Sequence, residues 1–509
     1  MYSKINSIGL FGLNAFMIEV EIDCAKGLNT FELVGLADAV VRESRERVRA
    51  ALRACGIAFP KGSITVNLAP ADTKKTGSSN DLPILVALLS VMGIIPDKLS
   101  DSAFIGEVAL NGDIRPINGV LPMVLLARRE GLKNVYVPSE NGFEASVADG
   151  INIYGVDNVN TLIAHLRGEK SMLPQEHYGY TEADCGHQPD FRDVRGQAAA
   201  KRALEIAAAG GHNVLLIGAP GSGKSMLAKR IPAILPPLTF EESIETTNIH
   251  SIAGILDTKH PLVTVRPFRA PHHTVSAAGL AGGGSVPHPG EISLAHNGLL
   301  FLDELAEFDR RTLEILRQPL EDGVVTISRS AGAVSYPCSI MAVAAMNPCP
   351  CGYFGHPRHK CICSKNQVSA YLSKISGPLL DRFDIHVDIA PVEYEQLVSE
   401  KREESSAEIR ERVVAARKLQ TKRFEGTSIT CNARITSEII REVCVLDRDA
   451  ESFIHNIFDK LGLSARAYDR ILKTARTVAD LDGAELIRRS DIAQAAQYRS
   501  LDKKYWSGL

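Results

Sequence analysis

Apolar and polar residues alternate along the first third of the chain in a way that predicts both strands and helices. Short apolar runs are typical of strands, and they occur at Phe16–Ile22, Ile64–Leu68, Phe104–Leu110 and Val135–Pro138. Apolar residues at helical spacing occur between these runs, in Ala39–Cys55 and Pro122–Glu130. The pattern predicts an α/β unit over residues 1–170.

The rest of the chain divides into three further segments. Residues 171–190 are polar and contain Pro174, Gly179 and Gly186, which is typical of a linker. Residues 191–393 predict a second α/β domain. Residues 394–509 are charge-rich and helical in pattern, including Glu400–Arg423, and predict an α-helical lid.

Composition narrows the class of protein. The 57 Lys plus Arg against 60 Asp plus Glu give a net charge of −3, so a globally basic nucleic-acid binder is not indicated, although a local basic lining stays open. The apolar stretch Leu82–Ile95 is too short to span a bilayer. The ten cysteines show no secreted-scaffold pattern, and Met1–Phe16 lacks the apolar core of a signal peptide. We therefore expect a cytoplasmic protein with reduced thiols and no membrane partner.

A phosphate-binding loop follows the apolar run Asn213–Ile217 and precedes the helical Met226–Ile231. In this order of strand, loop and helix, backbone N–H groups at a helix N-terminus face the phosphates. Lys224 supplies a charge to the β- and γ-phosphates, and the Ser225 hydroxyl completes the coordination of Mg²⁺. The predicted site for ATP and Mg²⁺ comprises Gly218, Ala219, Pro220, Gly221, Ser222, Gly223, Lys224 and Ser225.

Two later apolar runs end in polar side chains that suit the same site. Gly298–Leu302 ends in Asp303, which would hold Mg²⁺ through water, and Glu304, which would polarise the attacking water. Ser339–Met346 ends in Asn347, which would orient water or the γ-phosphate. For Asn347, a simple turn before the next proline stays open.

Two arginines are candidates for the γ-phosphate. Arg382 lies just before the strand-like Ile385–Ile389, and Arg466 opens a helix of the predicted lid. A planar guanidinium suits developing phosphate charge better than an ammonium does, although each arginine could also be a surface salt-bridge partner. If Arg382 acts on a neighbouring subunit, the protein must form a ring.

Two insertions are candidates for binding DNA. The region of residues 250–288 contains Arg266, Arg269, His272 and His273 beside a run of three glycines. The second, Gly323–Ser335, predicts a β-hairpin with Arg329 in its turn. These side chains would contact phosphates without reading sequence. A scaffold or interface role for the same residues stays open.

A cysteine cluster directly follows Asn347. Its two C-x-C pairs, Cys349 with Cys351 and Cys361 with Cys363, could converge on one structural Zn²⁺. Reduced thiols or a redox-sensitive loop are the alternatives.

These motifs together resemble those of the magnesium-chelatase-type AAA+ ATPases, through Arg266–Thr274, Pro289–Glu304 and Leu379–Asp384. The resemblance covers essentially the whole chain, and within the family it is to the bacterial competence proteins. It implies an AAA+ core of α/β fold and a hexameric DNA helicase. Such a helicase would migrate DNA branches during recombination of transforming DNA, with recombination proteins as partners.

The first unit, with Phe104–Val120 and Leu126–Pro138, is similar to the proteolytic domain of Lon. A Lon-type site needs a serine activated by a lysine. Leu121 stands where Lon carries that lysine, and Ser79, near the position of the Lon serine, would lack a base. The resemblance therefore implies a Lon-like fold without peptidase activity.

Three functions stay open from the sequence. The leading one is an ATP-driven DNA motor. The second is a chelatase-like subunit that remodels a protein partner. The third, an unfoldase or protease regulator that uses the Lon-like domain, is disfavoured by Leu121.

Overall fold

The computed structural model describes residues 1–36, 38–75, 77–180, 188–257, 259–284, 287–329, 332–398, 402–461 and 463–506. Five short 3₁₀ helices occur among them, at Ser139–Asn141, Phe191–Asp193, Ile231–Ile234, Leu305–Glu307 and Asn432–Arg434. No helix in these ranges is both long enough and apolar enough to cross a membrane.

The N-terminal part is a mixed seven-stranded sheet with helices packed on it. Its strands are β1 (Tyr2–Phe11), β2 (Asn14–Ala25), β3 (Thr30–Val34), β4 (Ser63–Ala69), β5 (Ser102–Phe104), β8 (Asn134–Pro138) and β9 (Asn152–Val156), with β6 (Glu107–Val108) and β7 (Ile114–Arg115) as a separate pair. Its helices are α1 (Ala39–Arg42), α2 (Ser44–Ala54), α3 (Asp81–Val91), α4 (Val120–Arg129), α5 (Gly142–Ala145) and α6 (Val159–Leu166). The strand order β3-β4-β2-β1-β5-β8-β9 makes the long β1–β2 hairpin the centre of the sheet.

Two predicted elements of this part are divided in the structure. The predicted strand Phe104–Leu110 is split into β5 and β6, because the N–H of Gly106 bonds to the carbonyl of Ser79 instead of a neighbouring strand. The predicted helix Ala39–Cys55 is split into α1 and α2, and α2 is held on the buried carboxylate of Asp81 by Arg47, whose Nε lies 2.6 Å from Asp81 Oδ2.

The predicted linker packs against both flanking parts over its described residues. The N–H of Tyr178 bonds to the carbonyl of Ser146 in the N-terminal part. The hydroxyl of Tyr180 donates to the carbonyl of Leu238 at 2.8 Å. Residues 181–187 lie outside the described ranges.

The central part is built on a five-stranded parallel sheet. Its elements are α7 (Ala198–Gly210), β10 (Val214–Gly218), α8 (Lys224–Ala228), α9 (Phe240–Ala253), β11 (Phe268–Arg269), α10 (Ala277–Ala281), β12 (Gly282–Gly283), β13 (His288–Pro289), α11 (Glu291–Leu294), β14 (Leu299–Leu302), α12 (Arg310–Ile315), α13 (Arg317–Asp322), β15 (Val324–Arg329), β16 (Gly332–Pro337), β17 (Met341–Met346), α14 (Lys365–Leu372), α15 (Gly377–Leu380) and β18 (Ile385–Ile389). The strand order is β11-β14-β17-β10-β18. Strands β10, β14 and β17 are buried along their whole length, which explains their unbroken apolar runs.

The C-terminal part is helical, as predicted. Its helices are α16 (Tyr394–Leu397), α17 (Ser406–Arg423), α18 (Ile440–Val443), α19 (Arg448–Leu461), α20 (Ala465–Leu481), α21 (Arg489–Gln497) and α22 (Ser500–Tyr505). Helix α17 begins at Ser406, because the Ser405 hydroxyl caps the N–H of Glu408 and that carboxylate caps Ser405 in return. Glu400, where the predicted helix begins, lies outside the described residues. Leu501 and Tyr505 of α22 return to the core of the central part.

Candidate functional site

The glycine-rich loop between β10 and α8 forms one wall of the candidate nucleotide site. Gly221 and Gly223 have φ angles of 74° and 92°, which glycine adopts without strain. The ammonium of Lys224 donates to the carbonyl oxygens of Gly218 at 2.8 Å and Ala219 at 2.9 Å. The loop therefore holds a cation at a helix N-terminus, an arrangement that suits a phosphate.

The ends of two neighbouring strands complete this wall. Because β10, β14 and β17 are parallel, their carboxyl ends meet at one edge of the sheet. The Ser225 hydroxyl donates to Asp303 Oδ2 at 2.7 Å, and Lys224 Nζ donates to Asn347 Oδ1 at 3.1 Å. Ser225 and Asp303 could therefore hold Mg²⁺, while Asn347 and Lys224 would face the terminal phosphate.

Glu304 has a backbone conformation that is rare for residues other than glycine. Its φ of 52° lies in the left-handed region, which few residues other than glycine occupy. Its N–H donates to Asp303 Oδ1 at 3.0 Å, and its carboxylate Oε2 lies 3.2 Å from Nδ1 of His273. The insertion after β11 therefore reaches the residue expected to polarise water.

Burial shapes the electrostatics of the site. Desolvation lowers the pKa of Lys224, and the charge of Asp303 acts in the opposite direction. A charge in such a buried position is screened less than one in water, so its attraction for a polyphosphate is stronger than at an open surface.

Arg382 lies at the amino ends of the parallel strands, opposite the carboxyl ends that form the candidate nucleotide site. It precedes β18, and its carbonyl oxygen accepts from Asn213 Nδ2 at 2.8 Å, at the start of β10. Strands β10 and β18 are parallel and in register over five residues, which separates Arg382 from the P-loop of its own chain by roughly 16 Å at about 3.3 Å per residue. Its guanidinium pairs with Glu321.

Arg466 is exposed in the first turn of α20. Arg470, one turn further along, lies 3.6 Å from Asp381 and 3.5 Å from Asp384, the acids on either side of Arg382. Residues four apart share a helix face. Arg466 therefore lies on the same face of α20 as Arg470, one turn before the contact with Asp381 and Asp384.

Arg266 serves as an internal brace. Its guanidinium donates to the carbonyl oxygens of Pro236 at 2.6 Å and Asn297 at 2.7 Å, and it pairs with Glu242 at 2.9 Å. These partners lie within the central part of the same chain, and they favour the scaffold role that the sequence left open.

The other candidates for DNA contact differ in placement. Arg269 forms a two-bond pair with Glu291, each bond 2.7 Å long. His272 is exposed, whereas His273 turns to Glu304. The predicted hairpin forms as β15 and β16, with Arg329 as the last residue of β15. The side chain of Arg329 and residues 330–331 lie outside the described parts of the structure.

The Lon-like region is used for packing. Leu121 is fully buried in a small cluster with Val147 and Leu262, and Leu262 belongs to the central part. The N–H of Leu121 donates to Glu144 Oε1 at 2.9 Å. Ser79 is largely buried beside the start of α3. The residue that stands in place of a catalytic lysine thus joins two parts of the chain.

The four predicted cysteines converge after β17. The Sγ atoms of Cys349, Cys351, Cys361 and Cys363 all lie within 4.8 Å of one another. Cys349 is buried in the core of the central part, and the other three are half-buried against it. This arrangement is compatible with a zinc site.

The fold and this site define a P-loop protein of the AAA+ class. The family described as magnesium chelatase, subunit ChlI, matches residues 190–397; two further descriptions, subunit ChlI of Mg-chelatase and its C-terminal part, match residues 20–141 and 403–499. The chain is 41% identical to the uncharacterized protein YifB of Salmonella typhimurium, over 98% of this chain and 97% of that one. It is 40% identical to the competence protein ComM of Haemophilus influenzae, over 96% of each. The chain therefore belongs to the ComM/YifB family of magnesium-chelatase-type AAA+ proteins.

Lon proteases match only the N-terminal part. Lon protease 2 of Syntrophobacter fumaroxidans is 33% identical over 132 residues, which is 25% of this chain and 17% of that protein. The expected fold class, an AAA+ core with a Lon-like N-terminal unit and a helical C-terminal region, is confirmed. As members of the AAA+ class bind ATP and Mg²⁺, the family match supports the predicted cofactors.

Sequence reasoning missed two contacts at the site. The sequence suggests His273 as a DNA candidate, and its approach to Glu304 has no local signal, because the two are far apart along the chain. Arg470 carries no signal beyond its position four residues after Arg466, which places it on the same face of α20.

Proposed function

We propose that this protein is an ATP-driven motor that works as a hexameric ring in the cytoplasm and moves on DNA. Its cofactors are ATP and Mg²⁺, bound by residues 218–225 and Asp303. Glu304 polarises the attacking water, and Asn347 orients it. The proposed units are a Lon-like domain without peptidase activity (residues 1–170), a linker (171–190), the ATPase core (191–393) and the lid (394–509).

The observation that carries the ring is the position of Arg382. Its own P-loop lies at the far edge of the sheet, so its guanidinium suits the γ-phosphate of a neighbouring subunit better than its own. Arg466 would act from the same edge. An arginine supplied in this way stabilises transition-state charge and makes hydrolysis depend on assembly. A head-to-tail contact of this kind closes into a ring.

DNA is proposed as the polymer that is moved. The competence name of the Haemophilus relative supports this choice, as do the hairpin β15–β16 with Arg329 and the exposed His272. The action would be branch migration, independent of DNA sequence, during recombination of transforming DNA with recombination proteins as partners. Arg269 forms an ion pair with Glu291 and would contact DNA only if that ion pair breaks.

The sharpest test uses two inactive variants that complement each other. Lys224→Ala removes ATP binding but keeps the arginine, and Arg382→Ala does the reverse. Each alone is expected to lose ATPase activity and Holliday-junction migration. Mixed in equal amounts and reassembled, they should recover about a quarter of the wild-type ATPase rate, because a quarter of randomly formed contacts pair an intact site with an intact arginine.

The outcomes separate the proposed functions. Full activity of either variant alone would sink the motor as described, and no recovery on mixing would argue against arginine donation between subunits. A wild-type ATPase that ignores DNA and migrates no junction would favour the chelatase-like alternative, a subunit that remodels a protein partner.

A further inference from the structure

The four cysteines after β17 have the geometry of a closed tetrahedral metal site. The Sγ atoms of Cys349 and Cys351 are 3.4 Å apart, and Cys361 Sγ lies 3.7 Å and 3.6 Å from them. A tetrahedron of sulfur atoms around zinc, with Zn–S bonds of about 2.3 Å, has edges of about 3.8 Å. A disulfide would require about 2.05 Å, so the packing is that of ligands around a common centre.

The cysteines of this loop supply the ligand atoms that converge. His356 and His359 lie in the same loop but outside the group of converging ligand atoms. The donor set is therefore four cysteines, which selects a soft metal ion and leaves no position for substrate.

The same loop touches the nucleotide site at two points. A Cβ atom on Gly352 would lie 2.4 Å from Cδ and 2.6 Å from Cγ of Pro220, so the loop rests directly on the P-loop. Asn347, which accepts the bond from Lys224, lies only two residues before Cys349. Tyr371 of α14 packs in the same core as Cys349.

We propose that Cys349, Cys351, Cys361 and Cys363 bind one structural Zn²⁺, and that this ion holds Asn347 and Pro220 in the arrangement that binds nucleotide. The ion closes the loop of residues 349–363 on itself and so fixes both contacts. Without it, the loop samples other arrangements, and nucleotide affinity falls in proportion to the fraction of protein that stays competent. The metal site stands on its own geometry, whereas the coupling rests on the proposed ATP site.

Metal analysis of the purified full-length protein tests the site. We expect one zinc per chain, and cobalt substitution should give the visible absorption of a tetrahedral tetrathiolate site. Cys361→Ser/Cys363→Ser should lose the metal, while Cys24→Ser/Cys55→Ser, which removes two half-buried cysteines outside the cluster, should keep it. Protein without zinc and without the cobalt spectrum would overturn the metal site.

Nucleotide binding by the wild-type protein tests the coupling, even if the serine variant fails to fold. Affinity for a fluorescent ADP analogue is measured before zinc removal, after it and after zinc is restored. We expect about tenfold weaker binding without zinc, if the competent arrangement falls to about a tenth of the population, and recovery on restoring zinc. Equal affinity in all three states would overturn the coupling. A zinc-loaded, nucleotide-binding protein that ignores DNA would instead contradict only the proposed function.

Discussion

At the scale of single residues, the contact between His273 and Glu304 joins the insertion to the proposed catalytic carboxylate. Nδ1 of His273 lies 3.2 Å from the carboxylate that should polarise water. A carboxylate that is oriented towards an imidazole is not free to turn to a water molecule. We therefore expect His273→Ala to raise the ATPase rate without DNA and to reduce the stimulation by DNA at least about fivefold. Steady-state ATPase assays with and without a branched duplex would measure both.

The neighbouring histidine is the matched control. His272 is exposed and lies beside the His273 ring in a tilted arrangement, with ring centroids 4.1 Å apart, whereas the ion pair with Glu304 is made by His273. His272→Ala should leave the rate without DNA unchanged and weaken only DNA affinity. If His273→Ala also left the basal rate unchanged, the insertion would have no hold on Glu304.

Single residues also show which parts of the site could be predicted from the sequence. Lys224, Ser225, Asp303 and Asn347 each follow an apolar strand, so the parallel sheet alone places them at one edge. Arg266 resembled a DNA contact because nothing in the sequence reveals that carbonyl oxygens from distant loops surround it.

At the scale of elements, a buried carboxylate joins the N-terminal part to α9. Glu144 of α5 accepts hydrogen bonds from the N–H of Leu121, from Asn141 and from the hydroxyl of Ser251. Burial raises the pKa of Glu144 despite these bonds, which act in the opposite direction. The folded protein therefore binds the proton of this carboxyl group more tightly than the unfolded chain does. The stability it contributes is complete below the unfolded value, near 4.5, and is lost as pH rises through the folded value.

Glu144→Gln should remove that pH dependence, because the amide keeps the shape and an acceptor oxygen but does not ionise. We expect the unfolding temperature of the wild type to fall, relative to the variant, as pH rises above about 4.5. Thermal unfolding at a series of pH values measures this. Glu140→Gln, an exposed glutamate four residues earlier, is the control. Parallel curves for wild type and Glu144→Gln would show that the buried carboxylate does not govern this contact.

The hairpin β15–β16 is the element most suited to grip DNA. Its inner side chains pack on the core, where Val325, Ile327, Val334 and Tyr336 are all buried. Arg329 is the last residue of β15, beyond these buried positions. Arg329→Ala should weaken DNA binding for all sequences alike and make the salt slope of binding shallower by about 1, because the variant neutralises one phosphate fewer. Titrations of labelled DNA at several salt concentrations measure this, with the exposed Arg448 of α19 as control.

The sequence predicts some helices and strands but gives no clear signal for others. Strand β1 has no clear sequence signal because Lys4, Asn6 and Ser7 interrupt its apolar residues, and its pairing with β2 over ten residues makes it a strand. The lid helix α20 was predicted, whereas the approach of Arg470 to Asp381 and Asp384 depends on how the lid packs and has no local pattern.

At the scale of the whole molecule, the tip of the β1–β2 hairpin of the Lon-like part rests on the candidate DNA hairpin. Gly12 lies so close to Val334 that a Cβ would approach its Cγ1 to 2.2 Å, and a Cβ on Gly332 would lie 3.0 Å from the ring of Phe11. Phe11 and Leu13 pack against the core of the ATPase part. The N-terminal part therefore contacts β16 directly. Its long central strands, β1 and β2, meet in a turn that lies against the element proposed to hold DNA.

Phe11→Ala should loosen that support without touching the nucleotide site. Because Phe11 is only partly buried, we expect a loss of about 1–3 kcal/mol, below the value for a fully buried phenylalanine. Local opening should become about five- to 150-fold more frequent, so that amide exchange in β15 and β16 accelerates by a similar factor. The ATPase rate without DNA should stay near the wild-type value, while DNA stimulation falls. Leu28→Ala, in the exposed turn at the other end of β2, should change none of these. Unchanged exchange in the hairpin of Phe11→Ala would mean that the central part holds β15–β16 without support from the N-terminal part.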